Sequence, residues 1–108
     1  MTTVDEIFTQ KIPAKLEKNP DLASSIDATF VFDLTGEQAS QWTLDLTKPG
    51  GEVKPGAIEN PNLTVIMKGE DLAKIVDGSL KPEMAFMTGK LKIKGDMPLA
   101  LKLQNILG

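Results

Sequence analysis

Two stretches of alternation between apolar and polar residues constrain the fold of this chain more than any other feature. In residues 28–34, and again in residues 41–47, every second side chain is apolar. Because successive side chains of a strand point to opposite faces, each stretch predicts a strand with one apolar face. The sequence Thr-Gly-Glu at residues 35–37 is a plausible turn between them. We therefore predict an antiparallel hairpin whose apolar face is buried.

The rest of the chain shows helical and extended patterns that can cover this face. Apolar spacing predicts a helix over residues 4–18, which Pro13 kinks or restarts and Asn19-Pro20 ends. Further predicted elements are strands at residues 52–54, 63–67 and 90–94, and helices at residues 70–77, 82–88 and 97–107. This order of elements predicts an α+β fold in which helices cover one face of a sheet.

The composition leaves few groups that could do chemistry. The 108 residues, predicted to form one domain (1–108), include no cysteine and no histidine, which removes thiolate chemistry and the commonest general base. We therefore expect no enzyme, no catalytic residue, no metal site and no cofactor. All 12 basic residues are lysines and the net charge is −3, which disfavours nucleic acid as a partner. With no signal peptide or membrane-spanning run, we expect a cytoplasmic protein.

The last predicted helix is apolar over more than half of its circumference, which is wider than one packing contact needs. Gln104 interrupts this apolar arc, and two interpretations are open. Its amide lies in water at a frayed C-terminal turn, or it lies at the edge of an apolar cavity and meets a ligand's polar end. Flexible methionines, which suit both a core and an adaptable ligand site, are concentrated in the second half of the chain at Met67, Met84, Met87 and Met97.

Lys90, Lys92 and Lys94 alternate along the last predicted strand and also have two interpretations. They can form a solvated strand face that protects a sheet edge from unwanted pairing. They can also form a weak electrostatic docking surface for anionic lipid headgroups.

The second half of the chain resembles a known family. The block PEMAFMTGKLKIKGDM at residues 82–97, followed by LALKLQ at residues 99–104, resembles the signature of the sterol carrier protein type 2 family, the non-specific lipid-transfer proteins. Further matches are Leu63–Met67, Asp71-Leu72 and Gly78, and Trp42 with Asp45 in the second strand. The resemblance implies a five-stranded, mainly antiparallel sheet covered on one face by helices and enclosing an apolar tunnel. It also implies a non-catalytic domain that holds fatty acids, acyl-CoA, phospholipids or sterols.

These observations together predict a protein that binds or transfers lipids. The predicted ligand is a long-chain acyl compound or a sterol, with transient membrane-surface contact and a monomeric or weakly dimeric state. The alternative is a substrate-presenting or dimerisation module that acts with a lipid-metabolising enzyme. The predicted ligand-binding residues are Phe30, Phe32, Trp42, Leu44, Val65 and Met67 from the sheet, and Met84, Phe86, Met97, Leu101 and Gln104 from the helices.

Replacing Gln104 with leucine separates the two interpretations of this residue. If the amide meets the polar end of a ligand, affinity falls by about 1–2 kcal/mol, because a polar group loses its partner. The free energy of unfolding then changes little or rises. Titration of one fatty acid and its methyl ester into both proteins measures the effect, and unchanged affinity for both ligands removes Gln104 from the site.

Overall fold

The two alternating stretches form neighbouring strands inside a five-stranded sheet. The structure is a computed structural model that describes residues 3–37 and 39–107, except for the side chains of residues 104, 105 and 107. The strands are β1 (Thr29–Thr35), β2 (Ser40–Asp45), β3 (Glu52–Pro55), β4 (Leu63–Lys68) and β5 (Leu91–Gly95). Their order is β3-β2-β1-β4-β5, so the sheet is open, with β1 in the centre and β3 and β5 at the edges.

The predicted mainly antiparallel sheet is confirmed, with a parallel pair at its centre. The pairs β1–β2, β2–β3 and β4–β5 are antiparallel, whereas β1 and β4 run parallel. β3 runs in the same direction as β1, and β4 starts beside the start of β1. Residues 56–62 must therefore return the chain along the length of the strands before β4 begins. The Thr43 hydroxyl donates a hydrogen bond of 2.7 Å to the Gly56 carbonyl where this return starts.

The helices follow the predicted pattern apart from one. They are α1 (Val4–Glu6), a π-helical segment (Ile7–Lys11), α2 (Ile12–Lys18), α3 (Asp21–Ile26), α4 (Gly69–Asp77), α5 (Pro82–Met87) and α6 (Met97–Leu107). The sequence did not predict α3, because its six residues are too few for a clear periodic signal. Asp27, directly after this helix, has a left-handed backbone conformation (φ 47°). No helix in the described ranges is both long enough and apolar enough to cross a bilayer.

The predicted irregularity at Pro13 takes the form of a π-helical turn directly before it. Pro13 is the second residue of α2, inside a helix that runs without a break from Val4 to Lys18, so its missing N–H cannot bond to the preceding turn. The Ile12 N–H donates to the Ile7 carbonyl, five residues back. This wider turn lets the helix continue past a residue that would otherwise crowd the preceding turn. Ile7, Phe8 and Ile12 are all buried as a result.

An aromatic cluster packs the N-terminal helices onto the apolar face of β1 and β2. The Phe8 ring meets Phe32 edge-on at a centroid distance of 5.0 Å and stacks on Trp42 at the same distance with an interplanar angle of 5°. Both arrangements are favourable for aromatic pairs. Phe30 and Leu44, also on this face, have no exposed surface. This half of the sheet is therefore filled by close-packed side chains.

Asn62 fastens the starts of β1 and α6 to the start of β4. Its Oδ1 accepts hydrogen bonds from the Thr29 backbone N–H at 2.9 Å and from the Thr29 hydroxyl at 3.0 Å. Its carbonyl accepts a hydrogen bond of 3.0 Å from the Asp96 N–H. Gly95 has φ 114°, and a Cβ there would collide with the Asn62 carbonyl oxygen. Glycine is therefore required where the chain turns from β5 into α6.

We predict that Gly95→Ala lowers the free energy of unfolding by about 3 kcal/mol, because it combines an unfavourable φ with a backbone collision. Gly56→Ala is the matched control, since Gly56 also has a positive φ (88°) but no atom within 4 Å of a built Cβ. The control should cost about 1–2 kcal/mol. Urea denaturation measures both, and equal losses would show that the approach to Asn62 imposes no constraint.

Candidate functional site

A cavity of about 510 Å³ lies between the β4–β5 half of the sheet and helices α5 and α6. This volume is within the range of roughly 300–1,000 Å³ that is usual for small-molecule pockets. The lining residues are Val65, Met67, Ile75, Pro82, Glu83, Phe86, Met87, Leu91, Ile93, Met97, Pro98, Ala100, Leu101 and Leu103. The cavity therefore lies beside the aromatic cluster and not within it.

Two cross-strand pairs form the sheet side of the cavity. Val65 lies opposite Ile93, and Met67 lies opposite Leu91, in the antiparallel register of β4 and β5. The alternation of each strand turns these four side chains to the same face. Leu91 and Ile93 remain partly exposed, because β5 is the last strand of the sheet.

Helix α5 supplies one wall through residues spaced at helical intervals. Pro82, Glu83, Phe86 and Met87 line the cavity, while Ala85 is buried. The helix begins with proline, which suits the first helical position. It ends at Gly89 (φ 78°), where the Lys90 N–H donates to the Ala85 carbonyl at 2.9 Å. This glycine-terminated motif directs the chain from the wall straight into β5.

The apolar arc of α6 is unusually wide because this helix contacts both the core and the cavity. Leu99, Leu103 and Ile106 are buried in the core. Met97 and Leu101 line the cavity, yet they are 46% and 70% exposed. The excess apolar surface that the sequence showed is therefore the surface that α6 presents to the cavity.

Four large apolar side chains that line the cavity remain exposed: Phe86, Met87, Met97 and Leu101 are 48%, 79%, 46% and 70% exposed, respectively. Met84, also on α5, is 51% exposed and does not line the cavity. Ile58, in the connection before β4, is another exposed large apolar side chain of the described chain. Clustered apolar exposure of this kind marks a surface that binds something other than water.

The polar groups around the cavity provide little for catalysis. Glu83 is the charged side chain among the described lining residues. No group of three or more metal-ligating side chains occurs within residues 3–37 and 39–107. Asp45 has a lowered pKa because the Thr47 hydroxyl donates to its carboxylate, but it lies at the end of β2, away from the cavity. The arrangement can enclose an apolar molecule, and it offers no base–nucleophile pair.

The structure brings together five of the predicted ligand-binding residues. Val65, Met67, Phe86, Met97 and Leu101 all line the cavity.

The other predicted residues lie elsewhere. Phe30, Phe32 and Leu44 are fully buried, and Trp42 stacks on Phe8, so these four are packed core and not part of the cavity. Alternation assigns these four residues to the correct face of the sheet. It does not show whether they lie under the aromatic cluster or beside the cavity. Met84 is exposed and does not line the cavity, and the side chain of Gln104 lies outside the described part of the structure.

The sequence-based selection also missed several lining residues. They are Ile75, Pro82, Glu83, Met87, Leu91, Ile93, Pro98, Ala100 and Leu103. A signal for some of them was present, since Leu91 and Ile93 alternate in β5 as Val65 and Met67 do in β4. Met87 was not selected, because a helix as short as α5 has too few turns to show whether Phe86, Met87 or both face the cavity.

Comparison with known proteins places this architecture in a family. Residues 8–108 match the SCP-2 sterol transfer family. Human hydroxysteroid dehydrogenase-like protein 2 is 42% identical over 88 residues, which cover 81% of this chain and 21% of that protein. The chain thus spans about a fifth of the length of this curated relative.

Solved structures share the fold. The sterol carrier protein domain 2 of Helicoverpa armigera has a TM-score of 0.82 and 26% identity, covering 96% of this chain and 84% of that chain. Sterol carrier protein-2 of Aedes aegypti, in complex with palmitate, has a TM-score of 0.75 and 22% identity, covering 100% of this chain and 96% of that chain.

Filling the cavity tests whether it is an accessible apolar site. Ala100 lines the cavity, so we expect Ala100→Trp to lower the affinity for an apolar fluorescent dye at least about tenfold. We expect it to raise the free energy of unfolding by about 1 kcal/mol relative to the control, because the ring buries apolar area. The control is Ala14→Trp at an exposed position of α2, which carries the same helix-propensity cost. Dye titration and thermal unfolding measure both effects, and equal dye binding by the two variants would contradict the assignment.

Proposed function

We propose that this chain, which belongs to the SCP-2 sterol transfer family, binds a lipid with a long apolar chain and carries it without changing it chemically. The observation that supports this most directly is the cavity of about 510 Å³ between β4, β5, α5 and α6. Among the side chains that the structure describes, its lining is apolar except for Glu83. The residues that would contact the lipid are those that line it, including the predicted Val65, Met67, Phe86, Met97 and Leu101.

The energetics of burial favour a long chain over a short one. Each methylene transferred from water contributes roughly 0.8 kcal/mol, so about twelve of them contribute on the order of 10 kcal/mol. Association costs about 4–15 kcal/mol in lost motion and ordering. A short acyl chain therefore cannot offset the cost of association, whereas a long acyl chain or a sterol body can.

Binding without catalysis is favoured by the residue types available. The sequence has neither histidine nor cysteine, and Glu83 is the one carboxylate among the lining residues that the structure describes. A single carboxylate has no partner here with which to divide acid and base roles. That the protein works in the cytoplasm, as a monomer or weak dimer, stays a prediction from the sequence.

A second function is favoured by the human relative. In hydroxysteroid dehydrogenase-like protein 2, the region similar to this chain makes up 21% of the protein. A domain of this kind can present a bound lipid to an enzyme instead of moving it between membranes. Transfer of a fluorescent lipid between donor and acceptor vesicles distinguishes the two functions. A carrier accelerates transfer without any partner protein, whereas a presenting module binds the lipid without accelerating its transfer.

A series of saturated fatty acids of increasing length tests the proposed function. After removal of any copurified lipid, we expect affinity to rise about tenfold for every two methylenes, since each contributes roughly 0.8 kcal/mol. The increase should stop once the chain fills the cavity. Displacement of a fluorescent fatty acid measures each affinity.

The Ala100→Trp variant is the control in this series, because a smaller cavity should reach its plateau at a shorter chain. Absence of saturable binding at every length, or affinity that does not depend on length, would contradict the proposal.

A further inference from the structure

Three of the four methionines that the structure describes line the cavity. Met67 comes from β4, Met87 from α5 and Met97 from the start of α6. The fourth, Met84, lies on α5 and is not among the lining residues. A molecule held in the cavity is therefore surrounded by thioether side chains from three different elements, although leucine would fill similar space.

The thioether sulfur is the group of this lining that a peroxide oxidises most readily. The other described lining side chains are hydrocarbon chains and rings and the carboxylate of Glu83. A peroxide converts methionine into methionine sulfoxide by giving one oxygen atom to the sulfur. The chain has no cysteine, whose thiolate would compete for the same oxidant. The lining thus combines an apolar site with a reducing group.

A ligand that carries a peroxide on an otherwise apolar chain is a lipid hydroperoxide. Its –OOH group is polar, and burying it without a hydrogen-bond partner is unfavourable. Glu83 lines the cavity, and its carboxylate can accept the hydrogen bond that this group donates. Met87 follows Glu83 by four residues in α5, so the two side chains share one face of the helix. A hydroperoxide bound to Glu83 therefore lies beside the Met87 sulfur.

Confinement favours reaction with the lining over reaction in solution. One molecule in a volume of 510 Å³ corresponds to a concentration of about 3 M. A free hydroperoxide at about 10 µM is roughly 10⁵-fold more dilute. A methionine outside the cavity meets only the dilute reagent, so the two classes of methionine should react at very different rates.

We propose that the cavity binds hydroperoxides of long-chain lipids and reduces them to the corresponding alcohols at Met87 and Met97. The proposal rests on the proposed function, because a hydroperoxide enters the cavity as any other long-chain lipid does. A lipid without a peroxide is carried unchanged, whereas a hydroperoxide meets thioethers with which it reacts.

The reaction transfers one oxygen atom and two electrons. A lone pair of the methionine sulfur attacks the distal peroxide oxygen, an S–O bond forms and the O–O bond breaks. The sulfur loses two electrons and becomes a sulfoxide, and the proximal oxygen leaves with the bonding pair. This oxygen takes up the proton of the distal oxygen through solvent and becomes the hydroxyl of the lipid alcohol. Each event consumes one thioether, which a methionine sulfoxide reductase restores.

Two oxidants distinguish reaction inside the cavity from simple exposure. Met84 is the internal control, because it is about as exposed as Met97, 51% against 46%, and does not line the cavity. Hydrogen peroxide should oxidise Met84 and Met97 at similar rates, since its attack follows exposure. The hydroperoxide of linoleic acid should oxidise Met87 and Met97 at least about tenfold faster than Met84. Peptide mass spectrometry measures the sulfoxide at each methionine over time.

The lipid product is measured in the same samples. We expect the hydroxy derivative of linoleic acid to form in an amount equal to the sulfoxide at the lining methionines. Excess palmitate should suppress this reaction by occupying the cavity. It should leave the oxidation of Met84 by hydrogen peroxide unchanged.

Conservative substitutions test the assignment of the sulfurs. Met87→Leu combined with Met97→Leu removes both reactive groups and roughly keeps the side-chain volume. At equal occupancy, conversion should fall at least about fivefold, because the remaining lining methionine, Met67, is buried. Met84→Leu is the matched control and should convert the hydroperoxide like the unchanged protein. Displacement of a fluorescent fatty acid by the unreactive hydroxy acid measures the occupancy of each variant.

Three results would overturn the proposal. They are equal oxidation of Met84 and Met97 by the lipid hydroperoxide, a bound hydroperoxide that stays intact, and unchanged conversion by the double variant. In each case, displacement of the fluorescent fatty acid would still support the proposed function. Absence of saturable fatty-acid binding would contradict the proposed function itself, and the reduction of hydroperoxides would be excluded with it.

Discussion

The packing of Phe8 between Phe32 and Trp42 determines how the space over the sheet is divided. Of the five aromatic residues, four lie in the half of the molecule formed by the N-terminal helices, β1 and β2, where Phe8, Phe30 and Phe32 are buried and Trp42 stacks on Phe8. The fifth, Phe86, is 48% exposed. Large rigid rings thus fill one half of the apolar face. The other half, over β4 and β5, is covered by α5 and α6 with smaller or more flexible side chains, which leave the cavity open.

Much of this architecture was predictable, because its signals are local. Alternation identified β1, β2, β4 and β5, and Gly78 and Gly89 marked the ends of α4 and α5 through the left-handed conformation that glycine adopts readily. The site was predictable only in part, since a period of two assigns Phe32 and Val65 to the same face without saying which helix covers each. The parallel pairing of β1 with β4 depends on the path of residues 56–62, which no local pattern encodes. Helix α3 is too short to show a period.

Under the proposed function, the two halves of the apolar face divide stability and ligand binding between them. Close packing of the aromatic half places each side chain in one arrangement, as in a molecular crystal. The cavity half contains Met67, Met87 and Met97, whose unbranched thioether chains change rotamer at little cost and adapt to ligands of different shape. Substitutions that improve packing around the cavity should therefore stabilise the protein and weaken its function, which is the usual conflict at a binding site.

The small size of α5 bears on how quickly a bound molecule can leave. This wall of the cavity is six residues long, buries only Ala85 among its described side chains, and is joined to β5 by the turn at Gly89. Elements with so little buried area open locally at a free energy well below that of global unfolding. A bound molecule would then leave when α5 lifts from β5, so residence time would depend on the local stability of α5, whereas affinity would depend on the whole lining, to which α5 itself contributes Phe86 and Met87. Substitutions in α5 outside the lining would therefore change exchange kinetics while leaving the contacts with the ligand unchanged.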